Sequence, residues 1–211
     1  MIQWCPYLSQ HEQWPSEGRH ILAQHDDDNI VVYQAYNPAI ADWAVQNQRF
    51  GGPWSFERMS WIKPNFLWMM YRCGWASKKN QERVLAVTIS RLGFETILSR
   101  AVESSYHPEV HGLDRDTWRR EGKRAGTRMQ WDPDHAPAGG KETRRAIQLG
   151  LRGETLRQYA TEWLVRIDDI TARVHQQAPN ARAAKYDQLL TPCETIFVPS
   201  EEETRRRIRL N

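Results

Sequence analysis

The chain has 211 residues, enough for one domain with a sizeable core or at most two small ones. Hydrophobic residues at 40% and charged residues at 26% exclude a disordered or membrane composition, and the most apolar run, Phe66 to Tyr71, falls far short of the roughly 18 residues a span requires. The balance of 29 basic against 26 acidic residues is too even to announce a nucleic-acid partner by itself.

Residues 1–17 carry Pro6, Glu12, Pro15 and Glu17 and no apolar segment, so an irregular arm without a secretory signal is expected. Arg19 to His25 and Ile30 to Tyr36 are β-rich runs around Asp26-Asp27-Asp28-Asn29, the pattern of a hairpin. Asn37-Pro38 reads as an N-cap and first-turn proline, opening a helix with Ile40, Trp43 and Ala44 on one face that stops at Gly51-Gly52-Pro53. Met59 to Lys63 reads as a buried strand. Pro64 then introduces a helix, apolar nearly all round through Phe66, Leu67, Met69, Met70 and Tyr71, that ends at Gly74.

Val84 to Ile89 has the continuous apolar pattern of a strand covered on both faces, and Phe94 to Val102 that of a short helix. Glu103 to Glu142 reads as long loops with a helix near Thr117 to Arg124, and Arg145 to Leu151 as a strand. Thr155 and Gln158 form a capping-box pattern ahead of an amphipathic helix carrying Leu156, Ala160, Trp163, Leu164, Ile167 and Ile170. Arg182 to Asn211 reads as charged and irregular. The economical architecture is α+β: a single domain over residues 18–200, with a small, mostly antiparallel or split sheet, flanking helices and a charged tail at 201–211.

Three cysteines (Cys5, Cys73 and Cys193) are odd in number, widely spaced and without a CxxC pair. Reduced thiols in a cytoplasm are expected, and neither a disulfide scaffold nor a zinc finger. Ten tryptophans are the compositional oddity; most belong in a core, and the remainder suit a pocket that grips flat rings. A basic stripe, Arg119, Arg120, Lys123, Arg124 and Arg128, suits either a solvated face or the phosphates of RNA or DNA.

GxGxxG, P-loop, GxSxG and HExxH signatures are all missing. His107 and His111 have helical i, i+4 spacing, but Pro108 follows the first and no third ligand is evident, so no metal is expected. Lys63 invites comparison with nucleotidyl-lysine ligases; those require a carboxylate two residues on and then glycine, where this chain has Asn65 and Phe66. At a strand-to-helix junction, Lys63 suits a phosphate better. Glu82, at the mouth of the strand beginning near Val84, is the preferred candidate carboxylate.

Three blocks together resemble one family. They are Val32-Tyr33-Gln34-Ala35-Tyr36-Asn37, the run from Arg58 to Arg72, and Gln130-Trp131-Asp132-Pro133 with Arg145 to Gly150. They resemble domain-of-unknown-function family 4291, over about Arg19 to Pro199. Asn65 stands where that pattern expects Ser, and Asp134-His135 where it expects Glu-Arg. More distantly, the order of elements resembles an ADP-ribosyltransferase core of the DarT type, which modifies nucleic-acid bases.

That second resemblance implies an ADP-ribosyltransferase-like fold and NAD as substrate. It implies Glu82 as catalytic carboxylate, with Lys63 and Arg58 on the diphosphate. Arg19, Tyr33, Gln34, Tyr36 and Trp61 would bind the dinucleotide. A nucleic-acid base or terminal phosphate along Arg119 to Arg128 would be the acceptor. Glycosidic cleavage through an oxocarbenium-like centre suits a carboxylate and a cationic phosphate clamp. Two other readings of the residues are a non-catalytic RNA- or nucleotide-binding module and an RNA-processing ligase or phosphotransferase. Arg144, Arg145 and Gln148 are left without a role.

Overall fold

The computed structural model describes residues 2–108 and 114–211. Its centre is an antiparallel sheet in which β5 (Arg83–Ser90) lies between β3 (Asn29–Tyr36) and β9 (Leu164–Asp169). Alternation along β5 sends Leu85, Val87 and Ile89 into one core and Val84 and Ala86 into another, so both faces are covered and the apolar run is explained. A second sheet has the order β4 (Ser60–Ile62), β8 (Lys141–Leu151), β7 (Thr127–His135), β6 (Ala101–Glu103), antiparallel except for the β6–β7 pair. The two sheets meet where Tyr33 and Lys63 exchange backbone hydrogen bonds of 2.7 and 3.2 Å.

Two short antiparallel pairs close the fold: β1 (Trp4–Pro6) with β10 (Leu190–Pro192), and β2 (Ile21–Ala23) with β11 (Thr195–Phe197). Among the described residues the helices are α1 (Tyr7–His11), α2 (Pro38–Asn47), α3 (Phe66–Cys73), α4 (Arg91–Ser99), α5 (Arg115–Arg124), α6 (Gly153–Thr161), α7 (Thr171–Arg182) and α8 (Glu202–Arg207). The architecture is the expected α+β one, with small, mostly antiparallel sheets and flanking helices.

Local capping chemistry places the helices that border the cleft described below. Asn37 accepts from the Ile40 N–H at 3.0 Å and α2 ends in left-handed Gln48. Asn65 accepts from the Trp68 N–H at 2.6 Å, and Gly74, with φ of 62°, terminates α3. Asn and Ser are comparable N-caps, so the Asn65 departure from the family pattern keeps the helix start. Phe66 to Met70 and Cys73 are buried, as a helix apolar nearly all round requires.

Several expectations are corrected by long-range pairing. The segment 1–17 is not an irregular arm: it forms β1 and α1, and Cys5 is joined to Cys193 in a disulfide, against the expectation of reduced thiols. Cys73 is free and buried. The predicted hairpin is only its turn, since His25 bridges Ile30 but β2 then departs to pair with β11. The stretch expected as long loops contains β7 and the start of β8, paired from Thr127–Leu151 to His135–Lys141. The helix expected to reach Ile170 ends at Thr161, and residues 164–169 form β9, with Ile167 buried and Val165 exposed. The N-cap of α6 is Arg152, not Thr155, which is buried. Residues 190–208 are ordered as β10, β11 and α8, with Ile208 wholly buried and the Asn211 side chain accepting from Arg19 N–H at 2.6 Å.

Candidate functional site: a cationic, aromatic cleft

Where the two sheets meet, a cleft of about 660 Å³ opens between the end of β3, the segment 53–63, α3 and β8. Its floor is a polar hub built on Gln34, which is buried at 3% exposure. Its amide donates to Tyr36 Oη at 2.7 Å and to Ser60 Oγ at 2.8 Å, while Tyr159 Oη donates to Gln34 Oε1 at 2.7 Å. Trp54 Nε1 donates to Tyr36 Oη at 3.0 Å, which fixes the phenol ring at the cleft. Burial raises the Tyr36 hydroxyl pKa above its ordinary value, so the ring remains a neutral phenol.

Three cations share the cleft: Arg58, Lys63 and Arg72. Among the described residues none of them forms an ion pair. Lys63 is 5% exposed; its Nζ makes one 3.4 Å hydrogen bond, to the Trp61 carbonyl, and sits 5.9 Å from the Trp68 ring centre. Burial, reinforced by the Arg72 charge and opposed by that of Asp132, lowers the Lys63 amine to about 7. Trp61 and Trp54 add flat faces to the wall.

The Arg58, Lys63, Gln34, Tyr36 and Trp61 side of the expectation is therefore assembled in one place, together with Gln148. Glu82 is not among the cleft-lining residues, although its neighbours Asn80 and Gln81 are. Arg83, not Glu82, pairs with Tyr36 across the sheet, and Glu82 Oε1 instead accepts from the Asn80 backbone N–H at 2.8 Å. Glu82 Oε2 is buried without a hydrogen-bond partner. Arg19 lies at the Arg145 bridge beside Asn211, away from the cleft. Tyr33 is wholly buried on the opposite face of β3 against Phe66, with its hydroxyl pKa raised by burial.

Of the basic stripe, Arg119, Lys123 and Arg128 line a second concavity, whereas Arg120 and Arg124 do not. Arg144 is structural: it is buried and holds Asp134 at 2.7 and 2.9 Å and the Pro15 carbonyl at 2.6 Å. Arg145 is exposed on β8. His111 lies outside the described residues; among those described, no group of three or more His, Cys, Asp or Glu side chains could hold a metal.

Two further residues, Arg72 in the cleft lining and Asp132 behind it, stand in the sequence blocks described above but carry no role there. Arg72 lies one helical turn after Met69 on α3, so both reach the same opening. Asp132 is brought in by the β7–β8 pairing: Gln148 Nε2 donates to its Oδ2 at 2.7 Å. The hairpin register pairs Gln130 with Gln148 and leaves Asp132 two residues along.

Fold and site define a small α+β protein with a cationic cleft walled by aromatic rings. The chain belongs to the family known as domain of unknown function DUF4291, whose model matches residues 20–202. No curated protein matches it. No helix among the described residues is long and apolar enough to cross a membrane.

Proposed function

We propose that the cleft binds a nucleotide through its phosphates, that the nucleotide is NAD, and that the protein is an ADP-ribosyltransferase-like enzyme acting on nucleic acid. The observation that carries the reading is the convergence of Arg58, Lys63 and Arg72, without ion-paired carboxylates among the described residues, beside Tyr36, Trp54 and Trp61. Guanidinium and ammonium groups match a diphosphate, and flat rings match a nucleobase or nicotinamide.

In the transfer, the bond from ribose C1′ to the nicotinamide nitrogen breaks and the electron pair leaves with nicotinamide. A bond forms from C1′ to a nucleophilic oxygen or nitrogen of the acceptor, which gives up its proton to a base. Asp132 and Glu82 each hydrogen-bond a residue that lines the cleft, Asp132 to Gln148 and Glu82 to Asn80, and this reading gives Asp132, whose charge also acts on Lys63, the role first expected of Glu82. A cytoplasmic setting belongs to the same reading, and there Cys5–Cys193 meets a reducing environment.

The position of Glu82 outside the lining favours a second reading, a nucleotide-binding module without turnover. A thermal-shift titration with NAD, ATP and GTP, followed by an assay for nicotinamide release, separates the two. NAD raising the melting midpoint, with the shift lost in Arg58→Gln and Lys63→Met, supports the site; nicotinamide release supports the enzyme. A midpoint unmoved by all three nucleotides overturns both.

A further inference from the structure

Beyond the main cleft is a second concavity of about 210 Å³ between α5, the start of β7 and the turn before α6. Four cations line it: Arg119, Lys123, Arg128 and Arg152, with Trp118 and Met59 as its apolar sides. Met59 lines both hollows, so they adjoin at that residue. Gly150 is the reason it can lie there: a Cβ on that residue would stand 2.7 Å from Met59 Sδ and 2.9 Å from Trp61 Cε2.

The charges are held in place, not merely exposed. Arg152 donates to the Gly122 carbonyl at 2.8 Å, the Ala125 carbonyl at 2.9 Å, and the Lys123 carbonyl, the free acceptors at the C-terminal end of α5. Arg128 lies 5.5 Å from the Trp118 ring centre and donates to the Ser104 carbonyl at 3.3 Å. Gly122 leaves room for its guanidinium, since any side chain at that position would collide with Arg128 Nη1.

Among the described residues, Lys123, Arg128 and Arg152 form no ion pair, and Arg119 alone has one, a solvent-exposed contact of 3.0 Å to Asp116. Burial and the neighbouring Arg152 charge both oppose the charged state of Arg128. Cations gathered in this way, with no acid among the described residues that line the concavity, are relieved by an anion.

We infer that this concavity is a phosphate site, taking a phosphate of the acceptor while the main cleft holds the nucleotide on the other side of Met59. Its position on the acceptor side rests on the proposed transfer reaction; the site itself does not. A planar fork such as Arg128 donates to two phosphate oxygens, and Lys123 adds a mobile point charge at the rim.

The test uses the full chain, a labelled single-stranded oligonucleotide followed by anisotropy, and inorganic phosphate as competitor. Arg128→Met retains the aliphatic stem, and the exposed pair Arg119→Gln with Lys123→Gln leaves the core untouched. Oligonucleotide affinity falling about tenfold in each variant, with a shallower salt dependence, supports the site. Release of the oligonucleotide by phosphate supports it too, and if phosphate binds but the oligonucleotide does not, the source is a small phosphate ligand. Unchanged affinity for both probes in both variants overturns it. The NAD-induced melting shift is read on the same proteins: retained in these variants and lost in Lys63→Met, it separates failure of this site from failure of the nucleotide cleft.

Discussion

Gln148 donates from one amide nitrogen to Asp132 Oδ2 at 2.7 Å and to Gln130 Oε1 at 2.9 Å, tying the cleft wall to a carboxylate on the neighbouring strand. Asp132 also acts electrostatically on Lys63, favouring its charged form. If Asp132 is the base of the proposed transfer, Asp132→Asn should lower nicotinamide release by roughly 100-fold with the melting midpoint nearly unchanged, the usual scale for a lost general base. Glu82→Gln should stay within a few-fold of the parent. The reverse ranking would return the role to Glu82.

Lys63 couples ligand affinity to pH. Its amine titrates near 7 in the folded protein, and an anion bound beside it favours the protonated form. Affinity for a phosphate-bearing ligand should therefore fall as pH rises above about 7, by up to about tenfold per unit, until the pKa of the complex is passed. Isothermal titration in two buffers of different ionisation enthalpy at pH 8 should show proton uptake on binding. A pH-independent affinity between 6.5 and 8.5 would remove Lys63 from the phosphate clamp.

The same group should cost stability when no ligand is present. The folded value near 7 lies below the ordinary 10.5, so between these limits the unfolded chain holds more protons and stability rises with pH. Lys63→Met keeps the volume and discards the buried charge. Its melting midpoint should exceed that of the parent by a few degrees at pH 6 and by less at pH 9, while nucleotide binding is lost. A variant less stable at pH 6 would mean the amine is better satisfied than its single 3.4 Å hydrogen bond suggests.

Gln34 joins the two sheets through its side-chain amide, bonded to Tyr36 on its own strand, to Ser60 and the Trp61 carbonyl on β4, and to Tyr159 on α6. Gln34→Leu would leave these buried hydroxyls short of a partner, a loss of about 2–4 kcal/mol. The variant should melt well below the parent, with its midpoint in urea lowered and the slope of the transition retained. A loss under about 0.5 kcal/mol would show that the hydroxyls satisfy one another without the amide.

The parts of the fold that could be read beforehand are those whose cause is local. Asn37-Pro38 and Asn65 with Gly74 carry their own capping chemistry, and Val84 to Ile89 carries its double burial in composition. The site was legible to the same extent: Arg58, Trp61 and Lys63 come from one short block, and Gln34 and Tyr36 alternate on one strand. Asp132 carries no role in linear sequence because it falls in the stretch that reads as long loops, and only pairing with β8 makes it part of a strand. Glu82 does stand at the mouth of β5, as its position before the apolar run suggests, but its side chain turns to the Asn80 N–H and does not line the cleft. Residues 164–169 satisfy a helical spacing and a strand alternation at once, and the free edge of β5 decides between them.

The least local feature is the Cys5–Cys193 bond, which closes 188 residues of sequence and joins β1 to the segment after β10. The next residue, Glu194, is buried and accepts from the Phe66 N–H at 2.7 Å at the start of α3, directly after the Lys63 block. Glu194 O also accepts from Trp14 Nε1 at 2.9 Å, and Glu194 N donates to Gln10 at 2.7 Å, so the segment beside the bond ties α1 and the residues after it to the start of α3. A crosslink over so long a loop restricts the unfolded chain, with a typical contribution of about 2–4 kcal/mol. Reduction with dithiothreitol, or Cys5→Ser with Cys193→Ser, should lower the melting midpoint by several degrees without abolishing folding, because one core lies wholly away from the bond and the other keeps Tyr7, Trp14 and Leu189 packed in it. An identical midpoint with and without reductant, in protein whose free thiols have been counted, would show that β1 and β10 hold together without the bond.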